Sequence, residues 1–535
     1  MKNMKKLVFV AMTVTALCIG CSKSRSSGEA AASNEAEPAV AVVEEPVTIE
    51  LWYGAAVTEA GPPPADWKAL QLIKEKLNII LVPTALPSNE SDQDVKVQAA
   101  GASNTLPDLF MVRRDTWLNL IRTGLVAPAD DLYSRMPIRT QVQYDSDSRA
   151  FTTINGKSYG LASPGAIVRN EGVLIRKDWL DKLGLSIPVT TEDYLNVMKA
   201  FTFNDPDGNG RADTYGYGAF IEIDAMSEGL GRRFDPFMGA FGAAGTWSLD
   251  KADPGLTIRK AAYYDGLEYI KSIIDAKVID PNWVSYGKDD FRAAWKQGRF
   301  GIMREQNAAY AAESNYAPFD KNFPDGEWIV IDPPKGPGGK LSAGVYSQGY
   351  RIYAISTKAA QAGKGPAIAR LLEWMSSDEG YYLLGWGEKD VNYTLNADGV
   401  PTVDGIPDPD KGYSKPEMQP YTQLRNMVYY NGEVELLARY PTYKTATSGK
   451  TMSALTVLRD MQKRSWTPAI GADTLPAPNA DLKRFYEQGV VEFLTGRREL
   501  TRANWSAWVA EFDKLGGLEW DQKGIQTAND SNYLK

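Results

Sequence analysis

Apolar and polar positions along this chain change period every few residues, first in steps of two and then in steps of three and four. Val47–Tyr53 is a β-branched and aromatic run that ends in Trp52-Tyr53-Gly54 and reads as a buried strand entering a loop. After a rigid GPPPADW turn, Trp67, Leu70, Ile73, Lys74 and Leu77 follow helical spacing. Asn78–Val82 then reads as a second strand, Asp92–Gly101 as a second helix and Asp108–Val112 as a third strand behind a Leu-Pro-Asp turn. Strands alternating with helices at this spacing predict an α/β architecture with mostly parallel sheets flanked by helices. Ligands of such sheets sit beyond the carboxyl ends of the strands, where Trp52, Tyr53, Arg113, Arg114, Asp115 and Trp117 fall. A single aromatic residue there is more often core, but two separate strand ends both arrive at tryptophan.

The pattern breaks near Tyr159-Gly160, and LASPGAIVRNEGVLIRKDWL reads as a crossing from a first lobe to a second, with Arg169, Asn170 and Glu171 as polar residues facing a cleft. The second lobe then shows a helix closed by Gly184, a longer helix opened by Thr190 or Thr191, and a helix over Ala261–Ala276. A helix packing Phe291 and Trp295 and a strand over Phe300–Met303 follow. Ser342–Ser356 reads as the return crossing, bringing out Tyr346, Tyr350 and Arg351. Helix Gly365–Ser376 comes next, and helix signals dominate from Tyr421 to Leu515. The resulting division is 47–165 for the first part of lobe 1, 166–345 for lobe 2, 346–410 for the return to lobe 1, and 411–535 for a mainly helical segment completing lobe 2 and packing on lobe 1. Ser448-Gly449-Lys450-Thr451 resembles the end of a phosphate loop, but Lys444 stands where its first glycine belongs, so phosphate binding is rejected.

At the N-terminus, Lys2, Lys5 and Lys6 precede an apolar run from Leu7 to Ile19, the length of a signal-peptide core and short for a membrane span. Leu17-Cys18-Ile19-Gly20-Cys21 resembles a bacterial lipobox, which makes 1–21 a lipoprotein signal peptide and Cys21 the acylated residue. Residues 22–46 are small, charged and proline-containing without periodicity, as in a flexible tether. The expected location is extracytoplasmic, lipid-anchored to the bacterial cell membrane.

Composition sharpens this picture. The 535 residues are 43% hydrophobic and 24% charged, enough to bury two cores, and the net charge of −8 argues against a nucleic-acid partner. The two cysteines, Cys18 and Cys21, both lie in the leader, so the body has no disulfide. Histidine is absent, which removes Ser-His-Asp, Cys-His and His-ligated metal chemistry and leaves an enzyme only carboxylate-pair, lysine or tyrosine chemistry.

One loop carries a pattern of oxygen ligands. Asp205, Asp207 and Asn209 stand at alternate positions, Gly210 supplies a sharp turn, and Asp213 follows; with the carbonyl of Arg211 these make the first two thirds of a calcium loop. The twelfth position, where an EF-hand places a bidentate Glu, is Gly216, so Asp213 with Thr214 would have to complete the shell. The plainer alternative is a polar Asx/Gly turn.

RKDWLDKLGL and NDPDGNGRADTYGYG, together with ASNTLPDLF (Ala102–Phe110), Leu371–Pro401 and FLTGRRELTRANWSAWVAEFDKLGGLEW, resemble the large lipoprotein extracellular solute-binding proteins (family 1) of carbohydrate ABC importers, including the alginate-binding proteins. The resemblance implies a two-lobed periplasmic-binding-protein-like fold (type II) with a cleft between the lobes. It also implies that the protein is no enzyme and acts as a monomer that captures a carbohydrate, an oligosaccharide by expectation, and delivers it to permease subunits. Calcium would be structural. Trp247 becomes a cleft tryptophan, and Arg304 and Glu305 follow a strand that points them at the ligand. The ligand-binding set is thus Trp52, Tyr53, Arg114, Trp117, Arg169, Asn170, Trp247, Glu305, Tyr346, Arg351 and Trp386. Fourteen Trp and 27 Tyr suit saccharides, which pair aromatic platforms with hydrogen-bonding groups. A secreted carboxylate-pair glycoside hydrolase, a binding protein for a peptide-like solute and an adhesive surface lipoprotein stay open at this point, the last disfavoured by the lack of internal repeats.

Overall fold

The computed structural model describes residues 45–54, 63–87, 90–136, 149, 151–164, 169–223, 229–346, 349–422, 424, 427, 432–469, 478–530 and 533–534. The leader with Cys21, the stretch 22–44 and the side chains of Asp115 and Tyr350 lie outside the described residues.

Two sheets organise the rest. In the first, β1 (Val47–Gly54) turns Ile49, Leu51 and Tyr53 into a core and Trp52 to the other face, as the period of two dictates. Helix α1 (Lys68–Leu77) returns the chain to β2 (Ile79–Leu86), which pairs parallel with β1 over its whole length. β2 runs on past Val82 because it lies at the sheet edge, where Pro83 costs no ladder hydrogen bond. α2 (Glu90–Ala102) leads to β3 (Leu109–Val112), parallel to β1 on its other side, and α3 (Arg114–Arg122) follows. A short helix, α4 (Asp130–Arg135), precedes β4 (Leu161–Pro164).

The second sheet begins with β5 (Glu171–Arg176), buried at every position. Its Val173 and Ile175 face one core and its Leu174 another, so the sheet is covered on both sides. α5 (Lys177–Leu183) ends at Gly184 in the left-handed conformation, φ 66°. α6 (Thr191–Phe203) opens with a capping box: Asp193 N–H donates to Thr190 Oγ1 at 3.1 Å, and Thr190 N–H donates to Asp193 Oδ2 at 2.9 Å. β6 (Tyr215–Gly218), α7 (Asp235–Phe241), α8 (Ala261–Asp275), α9 (Lys288–Lys296), β7 (Phe300–Gln306) and β8 (Trp328–Ile331) complete this run.

The chain returns through β9 (Val345–Tyr346) into β10 (Gly349–Ile355), a strand of the first sheet, followed by α10 (Gly365–Met375) and α11 (Asp378–Trp386). Leu424 and Met427 still belong to the first core. The chain then passes over a third time to α12 (Gly432–Arg439) and α13 (Ala454–Gln462), whose Leu436 and Leu458 pack on the second sheet's outer core. β11 (Thr467–Pro468) pairs parallel with β9. α14 (Ala480–Thr495), α15 (Arg502–Phe512) and α16 (Leu518–Asp530) finish the inner core with Tyr486, Phe493, Trp505, Trp508 and Trp520.

The strand orders are β2-β1-β3-β10-β4 and β8-β5-β7-β6. Both sheets are mixed rather than mostly parallel: β10 runs antiparallel to β3 and to β4, and β5 runs antiparallel to β7 and to β8. The antiparallel members include β4, β5 and β10, which carry the chain between the two halves. No helix among the described residues is long and apolar enough to cross a membrane.

Candidate functional site

The two sheets turn their ends toward the crossings. On the first sheet, β1 ends at Gly54, whose carbonyl accepts from Arg351 Nη1 of β10 at 3.2 Å. Gly54 has no room for a side chain: an added Cβ would lie 3.0 Å from that nitrogen and overlap Met111. Beside it, half-buried Trp52 lies under the ammonium of Lys96, 4.7 Å from the ring centroid. Arg113, the residue after β3, caps α3 and stays one-third exposed, 3.9 Å from Asp94. Asp94 also accepts from Thr116 Oγ1 at 3.1 Å.

The second sheet meets the crossings differently. Its edge is a buried charge cluster. Glu171, first residue of β5, accepts from Arg304 at 3.0 Å and Arg232 at 2.9 Å. Glu305 accepts from Arg233 at 3.4 Å and Arg292 at 3.1 Å. Burial alone would raise the Glu171 carboxyl, but the guanidiniums of Arg304, Arg233 and Arg232 outweigh it and hold the group down at about 2. Arg304 reaches further: its Nε donates to Ala343 O at 2.8 Å, and Asp235 accepts from Val345 N–H at 3.3 Å. Gly344 between them has φ 140°, and a Cβ there would strike the Arg304 guanidinium, so only glycine fits. Ala343 N–H donates to Ser465 O and Thr467 N–H to Gly344 O, which holds the same segment from its other side. The two crossings touch where the Arg169 guanidinium lies 5.5 Å from the Tyr346 ring, with Arg169 itself at φ 56°.

Of the expected ligand set, Trp52, Arg169, Asn170, Tyr346 and Arg351 stand half-buried at these edges. The others are placed in the interior. Tyr53 is on the core face of β1, where burial and nearby Tyr353 push its hydroxyl up to about 12. Trp117 packs inward and donates its indole N–H to Tyr159 O at 3.1 Å. Arg114, the first helical residue of α3, is buried above the Trp117 ring, so the exposed arginine of this pair is Arg113. Trp247 is 4% exposed, edge-on to Trp520 at 5.2 Å, and fills the slot that Gly524 leaves in α16. It is a core residue of the second half and not a cleft residue. Trp386 is fully buried against Tyr381 and Tyr413. Glu305 and Arg304 serve the charge cluster. Arg232, Arg233, Arg292 and Asp235 line that cluster and carry no sequence signal, since their partners sit on other elements that only the fold brings to them.

The 205–213 loop is tightly organised. Asp205 accepts backbone N–H bonds from Gly208, Asn209 and Gly210 at 3.0 to 3.1 Å, which lowers its carboxyl. Asn209 Nδ2 lies between two acids, 2.7 Å from Asp207 and 3.2 Å from Asp213, while Arg211 N–H holds Asn209 Oδ1. Burial and the neighbouring Asp205 raise the Asp207 carboxyl. Among the described residues no three acidic side chains stand in a ready coordination array. Thr214 is turned away, donating to Phe201 O at 2.9 Å, so it does not complete a shell. The absence of a twelfth-position Glu has a packing cause: a Cβ on Gly216 would run into the backbone of Met198 in α6.

Comparison with known proteins bears on both halves. The model of a family described as bacterial extracellular solute-binding protein matches residues 54–382. The polygalacturonan/rhamnogalacturonan-binding protein YtcQ of Bacillus subtilis is 26% identical over 349 residues, covering 63% of this chain and 65% of that protein, just short of two thirds of its length. Lipoprotein LipO of Bacillus subtilis is 25% identical over 412 residues, 75% of this chain and 76% of LipO. Among solved structures, an HMO-binding, ABC-transporter-associated solute-binding protein from Bifidobacterium longum infantis superposes with a TM-score of 0.64 at 17% identity, over 92% of this chain and 100% of that one. That last likeness speaks to the fold, which is the two-lobed type II arrangement of solute-binding proteins.

Proposed function

This chain belongs to the bacterial extracellular solute-binding proteins, and from that premise we propose that it captures a carbohydrate between its two sheet edges and presents it to an ABC importer. Two half-buried groupings carry the reading: Arg351 on the Gly54 carbonyl beside Trp52 at the end of β1, and Arg169 over the Tyr346 ring where the two crossings touch. They offer aromatic faces and fixed donors, which saccharide rings require. The polygalacturonan/rhamnogalacturonan-binding relative supports a saccharide over a peptide-like solute.

Capture proceeds without catalysis. The matching family is one of solute-binding proteins, which supports capture over hydrolysis. Cys21 carries the lipid anchor in this reading, in line with the lipoprotein relative, and the protein acts as a monomer. Calcium sits in the 205–213 loop, held by Asp205, Asp207, Asn209, Asp213 and the Arg211 carbonyl. The crowded acids support this, because the Asn209 amide now supplies the partial positive charge that a cation would supply more strongly.

Thermal-shift and tryptophan-emission titrations with neutral and acidic oligosaccharides test the reading. A saccharide that raises the melting temperature and is recovered unchanged supports it; saccharide cleavage, or stabilisation by peptides alone, overturns it.

A further inference from the structure

A second site lies on the first lobe, away from the crossings. Leu77 at the end of α1, Arg135 at the end of α4, and Pro366, Ala369, Arg370, Glu373, Trp374 and Ser377 around α10 line a pocket of about 590 Å³. Its floor is apolar, made by Leu77, Pro366, Ala369 and the Trp374 indole. That indole is fixed, since its N–H donates to Glu379 at 3.0 Å and Glu379 in turn pairs with Lys76 at 2.5 Å. Arg135 and Arg370 are exposed at the rim, and neither guanidinium has a hydrogen bond, ion pair or ring contact among the described residues. Glu373 has a partner of its own. An apolar cavity of this size with a few convergent polar groups is the usual form of a ligand site. Two exposed guanidiniums without protein partners among the described residues, over an apolar floor, select an anion attached to an apolar body.

The position of the pocket indicates where such a ligand comes from. Leu77 adjoins Asn78, whose carbonyl accepts from Val47 N–H at 2.9 Å, so the pocket lies where the chain enters β1, at the amino ends of β1 and β2. The segment just before, 22–46, is the one whose sequence reads as a membrane tether. With a net charge of −8, general attraction to an anionic surface is absent, so any such attraction is local to this rim.

We propose that the Arg135–Arg370 pocket binds the head group and proximal acyl chain of an anionic phospholipid, so that this pole of the first lobe docks on the membrane independently of the acyl anchor. The proposal rests on the membrane-tether reading, and the test separates the two by using the mature chain from residue 21 with Cys21→Ala, which carries neither the leader nor a lipid. Co-sedimentation with phosphatidylcholine vesicles, with and without phosphatidylglycerol, should show about tenfold stronger binding to the anionic vesicles, weakened by salt. Arg135→Gln with Arg370→Gln should remove that preference and leave saccharide affinity unchanged, because neither residue lies at the crossings. Dodecyl phosphate should compete for the pocket and inorganic phosphate should not. Equal binding to both vesicle types, or a preference that survives in the double variant, overturns the proposal. Equal competition by inorganic phosphate overturns the lipid as occupant and leaves a simple anion site. If the unmodified protein also fails to fractionate with membranes, the tether reading falls, whatever the vesicles show.

Discussion

The two sheet edges that flank the crossings are built on opposite plans. The second edge is a closed lattice of Glu171, Arg232, Arg233, Arg292, Arg304 and Glu305, largely buried and tied to the backbone of the return crossing through Ala343 and Val345. The first edge is more open, with Trp52, Lys96, Arg113 and Arg351 only half-buried. A buried charge that loses its partner is costly, so the lattice fixes the frame. Half-buried side chains can reorient around a ligand at smaller cost than members of a buried lattice, so specificity should reside on the open edge.

Substitutions can break this contrast. The largest effect is expected at Trp247, deep in the second half: Trp247→Ala should lower unfolding stability by about 3–5 kcal/mol without changing the saccharide affinity of the folded fraction. A loss of affinity at unchanged denaturant midpoint would return Trp247 to the ligand site. Glu171→Gln should cost a comparable amount, about 3 kcal/mol, by taking the anion away from the buried Arg304 guanidinium.

The same residue gives a pH test. A carboxyl depressed from 4.5 to about 2 in the folded state contributes its full stability above pH 4.5 and loses it as the pH falls from there toward 2. Acid unfolding of the native protein should therefore steepen across that window, and Glu171→Gln should remove this component. An identical acid transition in both proteins would show that the lattice does not depend on this charge.

Calcium should act at an intermediate scale. At a hundredfold excess over Kd it stabilises by about 2.7 kcal/mol, a rise of a few degrees in Tm that chelator reverses and Asp205→Ala with Asp207→Ala abolishes. A melting curve indifferent to chelator would reduce the loop to a turn. The smallest stability effect belongs to the open edge. Trp52→Ala should cost under about 1 kcal/mol of stability yet weaken saccharide binding roughly fivefold, and the reverse outcome would erase the distinction between the edges.

Local period made much of the fold readable. The strands expected at Val47–Tyr53, Asp108–Val112 and Phe300–Met303 are found at Val47–Gly54, Leu109–Val112 and Phe300–Gln306, and Thr190 opens its helix, because alternation and capping are encoded within a few residues. The site was less legible. Trp247 looks like a ligand platform until Gly524, far along the chain, supplies the slot that takes its ring. Arg114 and Arg113 are neighbours of equal chemistry, and only the first turn of α3 decides which is buried. The charge lattice could not be read at all, since Glu171 and Arg304 come from separate strands whose antiparallel register brings them together.

The C-terminal helices that complete the second core also set a timetable. Leu256 N–H donates to Asp521 across 265 positions, Arg259 pairs with Asp513 and Asp521, and Trp247 closes on Trp520. Closing so long a loop is an entropic toll that must be met before those contacts give anything back, and non-local pairing of this kind slows folding. A chain still leaving the ribosome can therefore assemble local helices and hairpins, but its second lobe stays unsealed until the last few dozen residues arrive.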